Sequence, residues 1–112
     1  MTKQSYLNDN KEIVQKYTNA IYKAQRWVQS HTAEETATTI TPFFKDTDHD
    51  ILVSSVKRYL EQGTYAENPV LDDSEWNNLL DVIDTAGELK SSVERAQIVD
   101  DTFAEAAIKA GK

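Results

Sequence analysis

The chain has 112 residues, a formal net charge of −7, 39% apolar and 28% charged residues, and no cysteine. That is enough for about one small domain with a single core, and it reads as soluble and globular rather than disordered. Disulfides, thiolate metal sites and cysteine nucleophiles are excluded, and no apolar run is long enough to span a bilayer. The opening "MTKQSYLNDN" has no apolar segment of the kind a signal peptide needs.

The charge is unevenly spread. Residues 1–30 hold five Lys/Arg against two acids, a net of +3, and residues 31–112 hold seven against seventeen, a net of −10. An acidic chain of this kind repels a phosphate backbone, so nucleic acid is not an expected partner.

Helical periodicity runs through most of the sequence. Ile13, Val14, Tyr17, Ala20, Ile21, Ala24, Trp27 and Val28 recur at steps of three and four, which predicts one apolar helix face behind an Asn10 cap. His31 falls at the end of this helix. Thr32 and Glu35 have the spacing of a capping box and open a second helix, with Ala33, Ala37, Ile40 and Phe44 as its buried positions and Pro42 near its end.

The stretch "KDTDHDILV" resembles a metal-binding loop at first reading. A calcium loop counted from Asp46 needs glycine at its sixth position and glutamate at its twelfth; here these are Ile51 and Lys57. A helix start explains the aspartates better, with Asp46 or Thr47 as cap and Asp48 and Asp50 favoured by the dipole. No metal site or other cofactor is expected. Leu52, Val56, Tyr59 and Leu60 supply this helix's apolar stripe, and Gly63 its left-handed stop.

The loop "GTYAENPVLDD" follows. Thr64, Tyr65 and Asn68 offer an aromatic face and neutral hydrogen-bonding groups, and are the candidate ligand-binding residues. Asp72 or Asp73 caps a fourth helix carrying Trp76, Leu79, Leu80, Ile83 and Ala86, ended by Gly87. Residues 88–99 read as a turn of helix or an extended link, and Asp100 or Asp101 opens a last helix with Phe103, Ala104, Ala107 and Ile108. The expected fold is mainly α, four to five helices in a single helical unit over 1–112.

Catalytic patterns are scarce. His31 and His49 both fall at helix ends, the paired aspartates at helix starts, and none of the phosphate-loop, nucleophile-elbow or metalloprotease patterns occurs. An enzyme is not expected. Lys16, Lys23 and Arg26 project from one side of the first long helix, and are the candidate partner-binding residues for an acidic surface.

Four blocks, "NKEIVQKYTNAIYKAQRWVQSHTAEE", "PFFKDTDHDILVSSVKRY", "YAENPVLDDSEWNNLLDVIDTAGEL" and "VDDTFAEAA", together resemble the C-terminal part of solute-binding proteins of ABC importers. The type is that for nitrate, sulfonate and taurine, whose superfamily includes binders of thiamine-pyrimidine precursors. No single motif is diagnostic; the order and spacing of the blocks carry the resemblance. It implies a fragment, the last third of a two-lobed α/β receptor that closes around a small solute and delivers it to ABC transporter membrane subunits outside the cytoplasm. Met1–Gln4 would then be the end of a strand. One departure is Tyr65, where the family usually has tryptophan. The lost sheet implies uncovered apolar helix faces, which a homodimer would bury; a stand-alone helical interaction or dimerisation module is the alternative.

Overall fold

A computed structural model describes residues 2–91 and 93–111, and among these there is helix but no strand. The helices are α1 (Gln4–Asp9), α2 (Lys11–Ser30), α3 (Ala33–Ile40), α4 (His49–Glu61), α5 (Asp73–Thr85), α6 (Arg95–Ile98) and α7 (Thr102–Lys109), with a 3₁₀ turn at Thr41–Phe43. Five of them have eight residues or more, in accord with the expected mainly α class.

Local chemistry sets most boundaries. The Thr32–Glu35 capping box is formed: the Glu35 N–H donates to Thr32 Oγ1 at 3.2 Å and the Thr32 N–H to Glu35 Oε2 at 2.8 Å. The Glu35 carboxyl is held below its ordinary pKa by the donors of Thr32. Asp72 and Glu75 repeat the motif at α5, at 2.8 and 3.0 Å. Gly63 (φ 65°) and Gly87 (φ 74°) end α4 and α5 in the left-handed region. Each builds the paired reverse bonds of a Schellman stop, Gly63 N–H to Leu60 O with Thr64 N–H to Tyr59 O, and Gly87 N–H to Asp84 O with Glu88 N–H to Ile83 O.

Several boundaries differ from expectation. Gln4 opens α1 rather than ending a strand, and Met1 lies outside the described residues. Asn10 stands between α1 and α2, but its side-chain amide turns back to the Tyr6 carbonyl and caps nothing. Asp48, not Asp46 or Thr47, caps α4: a turn closed by Thr47 N–H to Phe44 O consumes those residues, and Asp48 Oδ1 accepts the Asp50 N–H at 2.9 Å. At α7 the Asp100 carboxylate accepts from the Thr102 N–H, while Asp101 turns to Arg95. Between α5 and α7 the link is mostly irregular with one turn of helix, α6; Ser92 lies outside the described residues.

The core is small. Ala37 on α3 packs with Leu52 and Val56 on α4, joined by the half-buried Ala33, Ile40, Val53, Leu60 and Tyr65. Phe44, expected inside, is exposed, because the 3₁₀ turn carrying Pro42 breaks the α3 register before it. Ala104 and Ala107 on α7 are buried in a second contact, α7 against α2, and Trp76 is nearly buried on α5.

These contacts leave an open molecule. The radius of gyration is 16.8 Å, against about 13 Å for a compact domain of this length. The accessible surface is 8663 Å², against roughly 6,200 Å² for a compact monomer of this mass.

The long helix α2 contributes to this openness, as do Phe43, Ile51, Val82 and Ile98, which are exposed elsewhere. No residue of α2 is buried. Its predicted apolar face is outward over most of its length: Ile13, Tyr17, Ala20, Ile21 and Ala24 are exposed, and Trp27 and Val28 are half-buried at its end. Neighbours instead hold the polar side of the helix. Gln15 donates to the Phe103 carbonyl of α7 at 2.9 Å, Gln25 to the Asn68 carbonyl at 3.1 Å and Gln29 to the Tyr65 carbonyl at 2.8 Å.

Candidate functional site

The 63–72 loop begins at the Schellman stop of α4, which engages the Thr64 backbone, and ends at the Asp72 cap of α5. Between them Tyr65 turns inward. Its ring meets Tyr59 edge-on at 5.9 Å and packs against the α3–α4 core. Burial, with Tyr59 beside it, raises the phenol above its ordinary pKa. Asn68 folds the next turn by accepting the Val70 N–H on Oδ1 at 2.9 Å, ahead of Pro69. The Tyr65 and Asn68 carbonyls are both taken by α2 glutamines, so the loop is laced to α2 through its backbone.

This lacing leaves a groove of about 850 Å³ between α2, the loop and the end of α7, lined by Asn19, Lys23, Arg26, Trp27, Ser30 and Glu67 among others. Arg26 donates to the Gly111 carbonyl at 3.2 Å and lies over the Tyr22 ring at 5.8 Å. Trp27 stacks on His31, ring centres 4.0 Å apart, and the His31 Nδ1 reaches the Trp27 carbonyl at 2.7 Å. Two cations, one carboxylate and an indole in a concavity suit a polar or ionic small molecule with a flat apolar part.

Of the candidate residues, the fold brings Lys23 and Arg26 into one groove. Lys16 stays outside it, paired to Glu12 at 2.7 Å within the helix. Thr64, Tyr65 and Asn68 are not among the residues that line the groove; from their loop it is Glu67 that does. Glu67 and Trp27 were missed by sequence reasoning. Glu67 carries no pattern of its own, while Trp27 counted as one more member of an apolar stripe.

Within the "KDTDHD" stretch, two side chains have local partners. Asp48 caps α4, and His49 contacts Glu34 and Thr41 across the α3–α4 pair. Among the described residues no three His, Asp or Glu side chains are grouped to hold a metal ion. No helix among them is long and apolar enough to cross a membrane.

No protein-family model matches the chain, and no solved structure matches it. Among curated proteins it is 41% identical over 105 residues to "Putative binding protein YtlA" of Bacillus subtilis (strain 168). The matched region is 94% of this chain but 31% of that protein, so the chain spans about a third of the length of the relative it resembles.

Proposed function

We propose that this chain is the helical third of a solute-binding receptor, one that captures a small molecule between two lobes and hands it to an ABC importer outside the cytoplasm. The observation that carries the reading is the match to a protein named as a binding protein, which extends over nearly the whole chain. Sulfonates, nitrate, taurine and pyrimidine-like compounds are the solute classes implied by the sequence blocks. Support for a solute-facing role comes from the groove lined by Lys23, Arg26, Trp27 and Glu67; Thr64, Tyr65 and Asn68 belong to the 63–72 loop that α2 holds through the Tyr65 and Asn68 carbonyls. Binding is completed by the lobe that the chain does not supply, and no bond is made or broken.

The test is a chimera in which this chain replaces the matching third of YtlA. It is expected to melt in one cooperative transition and to gain stability with one of these solutes as ligand concentration rises over Kd. A chimera that folds but is indifferent to every class on the panel defeats the proposed solutes. One that does not fold as a unit defeats the receptor reading.

A stand-alone interaction module is the second reading, favoured by the outward apolar face of α2. A stable homodimer of the isolated chain in light scattering supports it.

A further inference from the structure

The groove beside α2 holds charges that do not neutralise one another. At about 100° per residue, Asn19, Lys23, Arg26, Trp27 and Ser30 fall within roughly 100° of arc, so one strip of the helix forms the floor. Gly111 borders it from the end of α7 and Glu67 from the 63–72 loop. Among the described residues no ion pair joins Glu67 to Lys23 or Arg26, or any of the three to another charged side chain.

The carboxylate owes its place to the backbone on either side of it. Glu67 lies between Tyr65 and Asn68, whose carbonyls accept from Gln29 at 2.8 Å and from Gln25 at 3.1 Å. The loop is therefore pinned to α2 both before and after Glu67. Arg26 is steadied by the Gly111 carbonyl and the Tyr22 ring, contacts that leave other donors of its fork unused. Trp27 is held by His31, whose ring stacks 18° from parallel to the indole.

This pattern discriminates between solutes. A bare anion on Lys23 and Arg26 meets Glu67 as a like charge, and a bare cation on Glu67 meets two. A solute that carries both signs satisfies all three groups at once. Size narrows the choice further. The groove volume of about 850 Å³ falls in the range of sites for drug-sized ligands, about 300–1,000 Å³. Nitrate or a two-carbon zwitterion would leave most of it to water, whereas an aromatic ring fills more of it and packs on the indole.

We infer that the groove takes an aromatic zwitterion, with an oxyanion on Lys23 and Arg26, an ammonium on Glu67 and a ring against Trp27. Glu67 is then the residue that selects the zwitterion over a plain anion of the same shape. This rests on the receptor reading above and deepens it by giving the charge pattern of the solute.

The test uses three probes titrated into the chain near neutral pH and at low salt, followed by amide and indole NMR signals. They are para-aminomethylbenzenesulfonate, benzenesulfonate, which lacks the amine, and taurine, which lacks the ring. Every group in the groove belongs to this chain, so the comparison does not need the missing lobe. The aromatic zwitterion is expected to shift the Trp27 indole and the amides of residues 19–30, and to bind about fivefold tighter than either other probe. Glu67→Gln, a change at an exposed position, is expected to bring it and benzenesulfonate within about twofold of each other. Equal binding of benzenesulfonate to the unaltered chain, or a preference that survives Glu67→Gln, overturns the role of Glu67. Equal binding of taurine overturns the ring contact. Silence of the groove signals with all three probes at tens of millimolar overturns the site. The receptor reading stands or falls separately, on whether the YtlA chimera melts as a unit.

Discussion

His49 Nε2 lies 2.9 Å from Glu34 Oε1 and its Nδ1 3.2 Å from Thr41 Oγ1, so one imidazole at the start of α4 touches both ends of α3. Thr41 Oγ1 also lies 2.8 Å from the Ala37 carbonyl, which can only accept. With the hydroxyl proton directed to Ala37, both His49 contacts are satisfied together when the ring is protonated and donates from each nitrogen.

The pH dependence follows from this bonding. Glu34 raises the His49 pKa above its ordinary value, chiefly by its hydrogen bond; desolvation opposes this, and the charges of Glu34, Asp50 and Asp48 then add to the rise. A raised folded value means that the contribution is fully present below the unfolded pKa and is lost as pH rises through the folded one. Melting midpoints are expected to fall as pH climbs through that window, and His49→Gln to flatten the slope. An unchanged slope in the variant would show that the clasp does not contribute.

Leu52 and Val56 supply the bulk of a core that has little else. Leu52→Ala is expected to cost about 2–4 kcal/mol, a large part of the stability of a domain of this size. Urea unfolding measures it, and loss of most of the α3–α4 helicity in the variant is the expected extreme.

Arg95 donates to the Leu71 carbonyl and the Asp101 carboxylate, tying the approach to α5 to the start of α7. Asp101 is only 17% exposed at its side chain. Arg95→Ala leaves both acceptors short of a donor and should cost about 1–3 kcal/mol. Arg95→Lys is expected to restore little of this, since one ammonium cannot reproduce the forked geometry.

The two capping boxes sit on separate helices and share no partners. Thr32→Ala and Asp72→Ala should each cost about 1 kcal/mol, and the double variant about the sum. Denaturation midpoints of the three variants check both statements.

The helices were legible where the signal was local. Thr32 with Glu35, Asp72 with Glu75, and the glycines at 63 and 87 act within a few residues, and sequence spacing alone exposes them. Asp48 was harder, since choosing it over Asp46 depends on a preceding turn. The Arg95 tie joins Leu71 and Asp101 across 24 and 6 residues, and no periodicity announces it. The largest gap concerns α2. Periodicity identified its apolar line correctly but says only that such a line wants cover; what holds α2 here is a set of glutamines on another side. Groove residues show the same limit, because Lys23, Arg26 and Glu67 meet only after the loop has been laced to the helix.

The pairing of α7 with α2 joins opposite ends of the chain, whereas α3 and α4 are sequence neighbours. Closing the first requires a long loop to be ordered and closing the second a short one, so they differ in entropic cost and in the order in which they form. Amide exchange should resolve the protein into two cooperative units. The α3–α4 amides form one, centred on Ala37 and Val56, and persist when the ends of the chain part. Those of α2 facing α7 open together with α7 itself, making the long helix, for all its length, the less protected element.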